Sequence, residues 1–397
     1  MLQYLPEQVQ GGPLATDQST RQWARSIALS VLVGVAYYLA ARLSLLLLTK
    51  PDGVAVFWPA SGVAAGVLIA LGPVARLPVV VGAAVATVVA NLMGDRGFMS
   101  AIVFALCNAG EALVAGWLIE RYFGSGFSLD RLSHVLGLLT AAILATTISG
   151  IGGTAGFLYF HNSTAPILST WQHWFASDAL GILTVAPLII ELAATGREPP
   201  SKTELIEGTT ALVALAGTSA AVILLPQGHW GIVVPIALLF PLLLWLAARC
   251  RPIFAAAAGF IIAFALVWMT TFDIGYFGES FLSIEQRILG AQASILAISL
   301  CALVLASLFA ERRHHEAALF EGQARLQEAL TAGGVVAFEW DALTTASQRS
   351  DNAAQILGFD PKKTFPQANF LRASIRTTAA SSNRSFTLSA PKGLHIK

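Results

Sequence analysis

From Ser26 onward the chain repeats one pattern: an apolar run of about twenty residues, then a short polar break. The pattern stops near Ala310. Runs of roughly 18 or more apolar residues predict membrane-spanning helices. The breaks predict about ten spans, at 26–48, 54–71, 73–92, 98–119, 132–156, 171–193, 208–225, 230–248, 252–271 and 288–310, the second of them short. Residues 1–25 are polar and precede the first span. From Glu311 to Leu330 the composition changes to Ala, Leu, Glu, Gln and Arg, all good helix formers, which predicts a charged linker helix leaving the membrane. Leu319, Leu326 and Leu330 are spaced by seven and four, as in a heptad seam. Two heptads fit a solvated single helix as well as a coiled-coil homodimer.

Composition agrees with the pattern. Of the 397 residues, 55% are hydrophobic and 12% charged, against about 25% charged in soluble domains, and the mean hydropathy is +0.68. The expected fold class is an all-α polytopic membrane bundle, with the lipid bilayer as its first partner. A net charge of +1 gives no nucleic-acid footprint. Cys107, Cys250 and Cys301 are isolated within apolar runs, and none has a His at metal-ligand spacing, so neither disulfide, metal nor cofactor is expected. Lys and Arg collect in cytoplasmic loops. With the N-terminus inside, the cytoplasmic segments hold Arg21, Arg25, Arg76, Arg121, Arg131, Arg197, Lys202, Arg249, Arg251, Arg312 and Arg313; the outer segments hold Lys50, Arg96 and Arg287. That bias favours an even number of spans and two cytoplasmic termini. No outer loop is long enough to fold by itself, so a ligand must meet the bundle or its short caps.

Charged and polar groups at bilayer depth are costly and mark functional hypotheses. Glu111 is mid-span with Asn108 one turn before it, and Asp178 lies about a third of the way into its own span. Two readings are open: a polar pocket for a cation, a proton or a small polar ligand, or carboxyl groups hydrogen-bonded as a packing clamp. His173 and His229 read as interfacial anchors. Trp58, Trp171, Trp174 and Trp230 fit an aromatic belt, and Trp58 also suits a site. Gly62 with Gly66, and Gly152 with Gly156, put small residues one turn apart, as close helix packing requires. Pro59, Pro187, Pro235 and Pro241 lie in or beside spans, where helix breaks can frame a substrate site. A transporter or channel using the intramembrane carboxylates is therefore the alternative function.

Four segments carry a resemblance. "VFWPASGVAAGVLIALG" resembles the Trp-Pro-x-x-Gly signature of the bacterial membrane-associated sensor domain of the first type, the MASE-one family. "WFASDALGILTVAPLII" resembles that family's Asp-x-x-Gly…Ala-Pro helix, and "FPLLLWLAARCRP" and "LASLFAERRHHEAAL" match its later landmarks. The likeness covers residues 26–313. It implies an integral sensory module of a bacterial inner membrane, found before histidine kinase or diguanylate cyclase modules, and it singles out Trp58, Pro59, Gly62, Asp178, Gly181 and Pro187. "GGVVAFEWDALTTASQRSDNAAQILG" is similar to the opening of a PAS domain: a turn at Gly333-Gly334, a strand, a turn near Asp341, a second strand and a short helix. After "FLRAS" that likeness ends, and small polar residues follow, as in a disordered tail. The abrupt change favours a frameshift over a premature stop or a natural end.

The expected organisation is thus an N-terminal segment (1–25), an integral sensor domain (26–310), a linker helix (311–330), a partial α+β PAS segment (331–375) and a tail (376–397). The leading function is a sensory receptor relaying an unknown small-molecule or membrane stimulus through Arg312, Arg313, Leu319, Leu326 and Leu330 to a cytoplasmic PAS or output module, or to a separate signalling protein. No kinase His box, nucleotide-binding Gly-rich segment or cyclase-like loop is present, so no catalytic residue is assigned.

Overall fold

The computed structural model describes residues 13–47, 55–94, 96–161, 166–197, 199–224, 229–274, 283–340, 347–350 and 352–357. The chain forms two compact units, Met1–Arg312 and Arg313–Lys397. The first is built from α1 (Pro13–Leu46), α2 (Pro59–Leu71), α3 (Arg76–Leu92), α4 (Phe98–Phe123), α5 (Leu132–His161), α6 (Ile167–Thr195), α7 (Lys202–Leu224), α8 (His229–Arg249), α9 (Pro252–Thr271) and the start of α10 (Ile284–Ala332).

Among the described residues, eight stretches are long and apolar enough to cross a membrane, and Leu238–Arg249 of α8 is a shorter apolar helix. One of the eight, Pro59–Leu92, contains both α2 and α3. Its contacts show that it doubles back. Gly62 and Gly66 of α2 meet Gly181 and Ala186 of α6, and Leu68 meets Gly116 of α4, so α2 runs parallel to α4 and α6. The start of α3 is tied to the end of α4 by the Arg76–Glu120 ion pair (2.5 Å), so α3 runs antiparallel to α4. The reversal sits at Gly72, whose φ of 71° and ψ of −154° suit glycine.

The same reasoning fixes the direction of the other helices. Gly34 against Gly82 and Tyr38 against Met93 make α1 parallel to α3. Phe123 against Gly137 and Cys107 against Gly152 make α5 antiparallel to α4. The Glu191 carboxylate at the end of α6 accepts the Leu129 amide just before α5, so those two are antiparallel. Arg249–Glu207 (3.0 Å) and Phe254 against Gly208 alternate α7, α8 and α9. The Arg287–Asp273 ion pair and Ser299 beside Gly259 turn α10 back along α9. Direction therefore alternates through ten helices, and the ends of α4, α6, α8 and the first-unit part of α10 share a face with the start of α1.

One expectation needs correction. The second span is not a full helix: α2 has 13 residues, about 20 Å at 1.5 Å per residue against a hydrocarbon core of about 30 Å. The part of that span before it, residues 55–58, is not helical. Helix α1 starts at Pro13, so it begins in the N-terminal segment and runs on through the first span. The last span and the charged linker form one continuous 49-residue helix.

The core is lined by small residues, with Ala60, Ala64, Ala83, Ala112, Ala142 and Ala186 fully or almost fully buried. Large apolar side chains such as Leu46, Leu106, Ile151 and Val213 face outward. This inversion suits a bundle whose solvent is lipid, where helices associate by close packing rather than by hiding apolar surface.

In the second unit, α10 ends at Ala332 and a turn through Gly334 (φ 60°) follows, where the amide of Val335 bonds back to the Leu330 carbonyl. Strands β1 (Phe338–Trp340) and β2 (Ser347–Arg349) pair antiparallel, with Phe338 opposite Arg349, and α11 (Ala353–Leu357) follows. The turn expected at Asp341 and the tail at 376–397 lie outside the described residues.

Candidate functional site

The site begins with Trp58-Pro59. Proline at the first helical position fixes the start of α2, and the residue before a proline is pushed out of the helical region; Trp58 has φ −121° and ψ 78°. Helix α2 thus starts inside the bundle, level with the middle of α4. Non-helical backbone at this depth must be satisfied by protein. The Trp58 amide donates to the Ser177 carbonyl (3.1 Å), and Gln292 Nε2 of α10 donates to the Val56 carbonyl (3.0 Å). Gly181 and Gly62 make the approach possible. A Cβ on Gly181 would overlap the Trp58 carbonyl oxygen, and one on Gly62 would overlap the Gly181 carbonyl oxygen.

Around this break the six helices α1–α6 converge polar side chains. Glu111 and Asp178 are 2% and 3% exposed and neighbour each other, with Ser61 beside both, Ser149 beside Glu111 and Trp174 beside Asp178. Tyr37 lies beside Thr87 and Trp58. Ser61 is in the first turn of α2, so the carboxyl pair sits near a helix N-terminus, whose partial positive charge favours it. Yet Tyr37 Oη, Ser61 Oγ, Thr87 Oγ1, Asn108 Oδ1, Glu111 Oε2, Ser149 Oγ, Trp174 Nε1 and Asp178 Oδ2 close no hydrogen bond of ordinary geometry among the described residues. Folded proteins hold only a few such groups per hundred residues. Most of them neighbour one another around this one break.

A cavity of about 50 Å3, counted as space open to the centre of a water molecule, adjoins the cluster. Its lining includes Trp58, Asn91, Arg96, Asn108, Trp174 and Asp178. Arg96 Nη1 donates to Asn91 Oδ1 (3.1 Å), Asn91 Nδ2 donates to the Thr87 carbonyl (2.8 Å), and the guanidinium lies 5.7 Å from the Phe104 ring centroid. Arg96 is outside the helices, and burial pushes its guanidinium below its ordinary value while leaving it a cation.

Of the expected site residues, the fold brings together Trp58, Pro59, Gly62, Asn108, Glu111, Asp178 and Gly181. Pro187 is buried in α6 but does not line the cavity. Leu319 and Leu326 are 68% and 61% exposed on α10, and with Arg312, Arg313 and Leu330 they are not part of the cluster. Trp174 lines the cavity instead of an outer belt, and His173 is buried. Sequence reasoning passed over Tyr37, Ser61, Thr87, Ser149 and Gln292. Only Ser61 carried a signal, one residue before Gly62 within the Trp-Pro motif.

No curated protein and no solved structure matches the chain. A family profile, MASE1, matches residues 29–313, a range that contains both the Trp-Pro and Asp-x-x-Gly segments packed at this break. The chain belongs to MASE1, a family of membrane sensor domains.

Proposed function

We propose that the chain is a sensory receptor of a bacterial inner membrane. The cluster between α2, α4 and α6 takes the stimulus, and α10 carries the change to a cytoplasmic module. The observation that carries this reading is the Gln292–Val56 hydrogen bond, which ties α10 to the non-helical segment two residues before Trp58. Whatever moves Trp58 loads α10 directly. Eleven Lys and Arg residues on the proposed cytoplasmic segments, against three outside, support the orientation. The receiving module begins with the β1–β2–α11 segment, which resembles the start of a PAS domain; a kinase, a cyclase or a separate signalling protein would supply the output. A second copy is the proposed partner along Leu319, Leu326 and Leu330, two of which are strongly exposed.

A transport reading has one observation in its favour: a helix that starts beside carboxyl groups at mid-bundle, as at transporter substrate sites. One experiment separates the two. Leu319→Cys is introduced into a chain whose native cysteines are replaced, and disulfide yield between copies is measured in membranes with and without Glu111→Gln or Asp178→Asn. A receptor changes its yield when the cluster changes. An unchanged yield, together with proton or solute flux in liposomes that Asp178→Asn abolishes, overturns the receptor reading.

A further inference from the structure

We infer that the cavity takes a primary ammonium group on a short carbon chain, between methylammonium and propylammonium in size. This names the ligand class of the proposed sensory site and rests on that cluster being where the stimulus binds.

Two acceptors in the lining are buried and left over. Asp178 and Asn108 are 3% and 5% exposed. Asp178 Oδ2 and Asn108 Oδ1 close no hydrogen bond of ordinary geometry among the described residues. Glu111 Oε2, in the same condition, belongs to the carboxyl group beside Asp178. A buried carboxylate is costly unless it is paired and hydrogen-bonded, and an N–H donor that carries positive charge supplies both. A primary ammonium holds three such donors on one atom. The walls suit the same group. Trp58, Phe157 and Trp174 line the cavity, and aromatic faces, indole above all, attract ammonium cations.

Other occupants fit less well. A simple anion would meet the carboxyl pair. A quaternary ammonium brings charge but no N–H for the two acceptors. Among the described residues no three His, Cys, Asp or Glu side chains are placed to hold a metal ion. Arg96 also lines the cavity, bonded to Asn91 Oδ1 and lying over Phe104. The ammonium needs no bond from it, and the carboxyl groups of Glu111 and Asp178 outnumber it. The lining takes Leu45 from the end of α1, Asn91 from the end of α3 and Thr170 from the first turn of α6. The ligand therefore arrives from the face opposite the start of α1. Volume limits its size: 50 Å3 of centre-accessible space corresponds to about four water positions at 10–15 Å3 each, which suits propylammonium and leaves no room for a polyamine.

The test is binding to the full chain in phosphatidylcholine nanodiscs, whose lipid carries no primary ammonium, read by tryptophan fluorescence, since Trp58 and Trp174 line the cavity. It needs no readout at α10, so failure of the ligand class and failure of the relay are separable. Propylammonium is titrated to about 10 mM, above the ~1 mM Kd of a weak site. Tetramethylammonium supplies the charge without N–H groups, and propan-1-ol the chain without charge. Propylammonium is expected to bind at least ~10-fold more tightly than either, the gain of hydrogen bonds to charged groups. Asp178→Asn is expected to weaken it by at least ~30-fold, the loss typical of one partner of a buried charge pair, and Asn108→Leu by at least ~10-fold. If a variant does not fold, the comparison of the three compounds on the unaltered protein decides alone. Phosphatidylethanolamine discs separate the two sources of such a group: an unchanged affinity assigns the site to a free amine, and competition by the lipid assigns it to a headgroup. The inference is overturned if propylammonium does not bind by about 10 mM. It is also overturned if tetramethylammonium or propan-1-ol binds as tightly, or if folded Asp178→Asn leaves the affinity unchanged.

Discussion

Adding one methyl group at Gly181 tests the whole placement of α2. In a helix interior, glycine to alanine is ordinarily favourable by about 0.5–1 kcal/mol. At Gly217 of α7 a Cβ has nothing within 4 Å, so Gly217→Ala is expected to show that ordinary gain. At Gly181 the same Cβ overlaps the Trp58 carbonyl oxygen and lies 2.7 Å from the Trp58 carbonyl carbon. Ordinary non-bonded separation is about 3.5–4.0 Å, so the non-helical 55–58 segment must retreat. What it meets is backbone, which cannot rotate away, and the retreat strains the Trp58–Ser177 hydrogen bond. Overpacking costs about 1–3 kcal/mol, and this site belongs at the upper end. Gly181→Ala should therefore be about 2–4 kcal/mol less stable than Gly217→Ala, or several degrees in Tm at roughly 2 °C per kcal/mol. Thermal unfolding of the detergent-solubilised chain, followed by tryptophan fluorescence, reads this difference. If the two variants agree within about 0.5 kcal/mol, the ordinary scatter of harmless substitutions, then α2 does not start against Gly181 and the site as described is wrong.

Other substitutions separate groups that hold the fold from groups that only surround the cavity. Gln292→Leu removes the donor to the buried Val56 carbonyl and should cost about 1–3 kcal/mol in the same unfolding experiment. Glu191→Ala strips the buried Leu129 amide of its acceptor, with a similar cost of about 1–3 kcal/mol and faster hydrogen exchange at Leu129. Ser149→Ala deletes a buried hydroxyl that closes no hydrogen bond, so stability should stay within about 0.5 kcal/mol; a loss above 2 kcal/mol would mean the hydroxyl is structural. Arg76→Ala breaks an exposed ion pair and should cost under about 1 kcal/mol, less still in high salt.

The sequence made most of the apolar helices legible because lipid imposes a length on each apolar run. It also marked Glu111 and Asp178, since carboxyl groups in such runs are conspicuous. It offered a pocket built from both as only one of two readings, because α4 and α6 come together through α2, a contact between distant segments that no local period encodes. It did not reveal that α2 begins half-way. The Trp-Pro pair announces a helix start, but apolar composition is the same in extended and helical chain, so residues 54–58 read as part of the span. Tyr37, Thr87 and Ser149 were illegible for a related reason: hydroxyls are common in membrane helices, where they bond their own backbone, as Thr146 does with the Ala142 carbonyl. Only the packing shows which hydroxyls are left over.

The arrangement also gives a physical reason for the two motifs to occur together. Trp58-Pro59 creates a break that exposes a carbonyl, Gly62 and Gly181 let α2 and α6 close over it, and Asp178 lies one turn before Gly181 on the helix that receives the break. None of these residues has a full role alone. Without the glycines the break cannot be covered, and without the break Asp178 would face a continuous helix with no cavity beside it. A ligand shifts an equilibrium only through interactions that differ between two states. On the proposed reading those states differ in where the 55–58 segment sits. That segment is tied to α6 by Ser177 and to α10 by Gln292, one hydrogen bond in each direction. Movement at the cavity is thereby shared between the helix that carries the acid and the helix that leaves the bundle, which a pore needing only a path through its centre would not require.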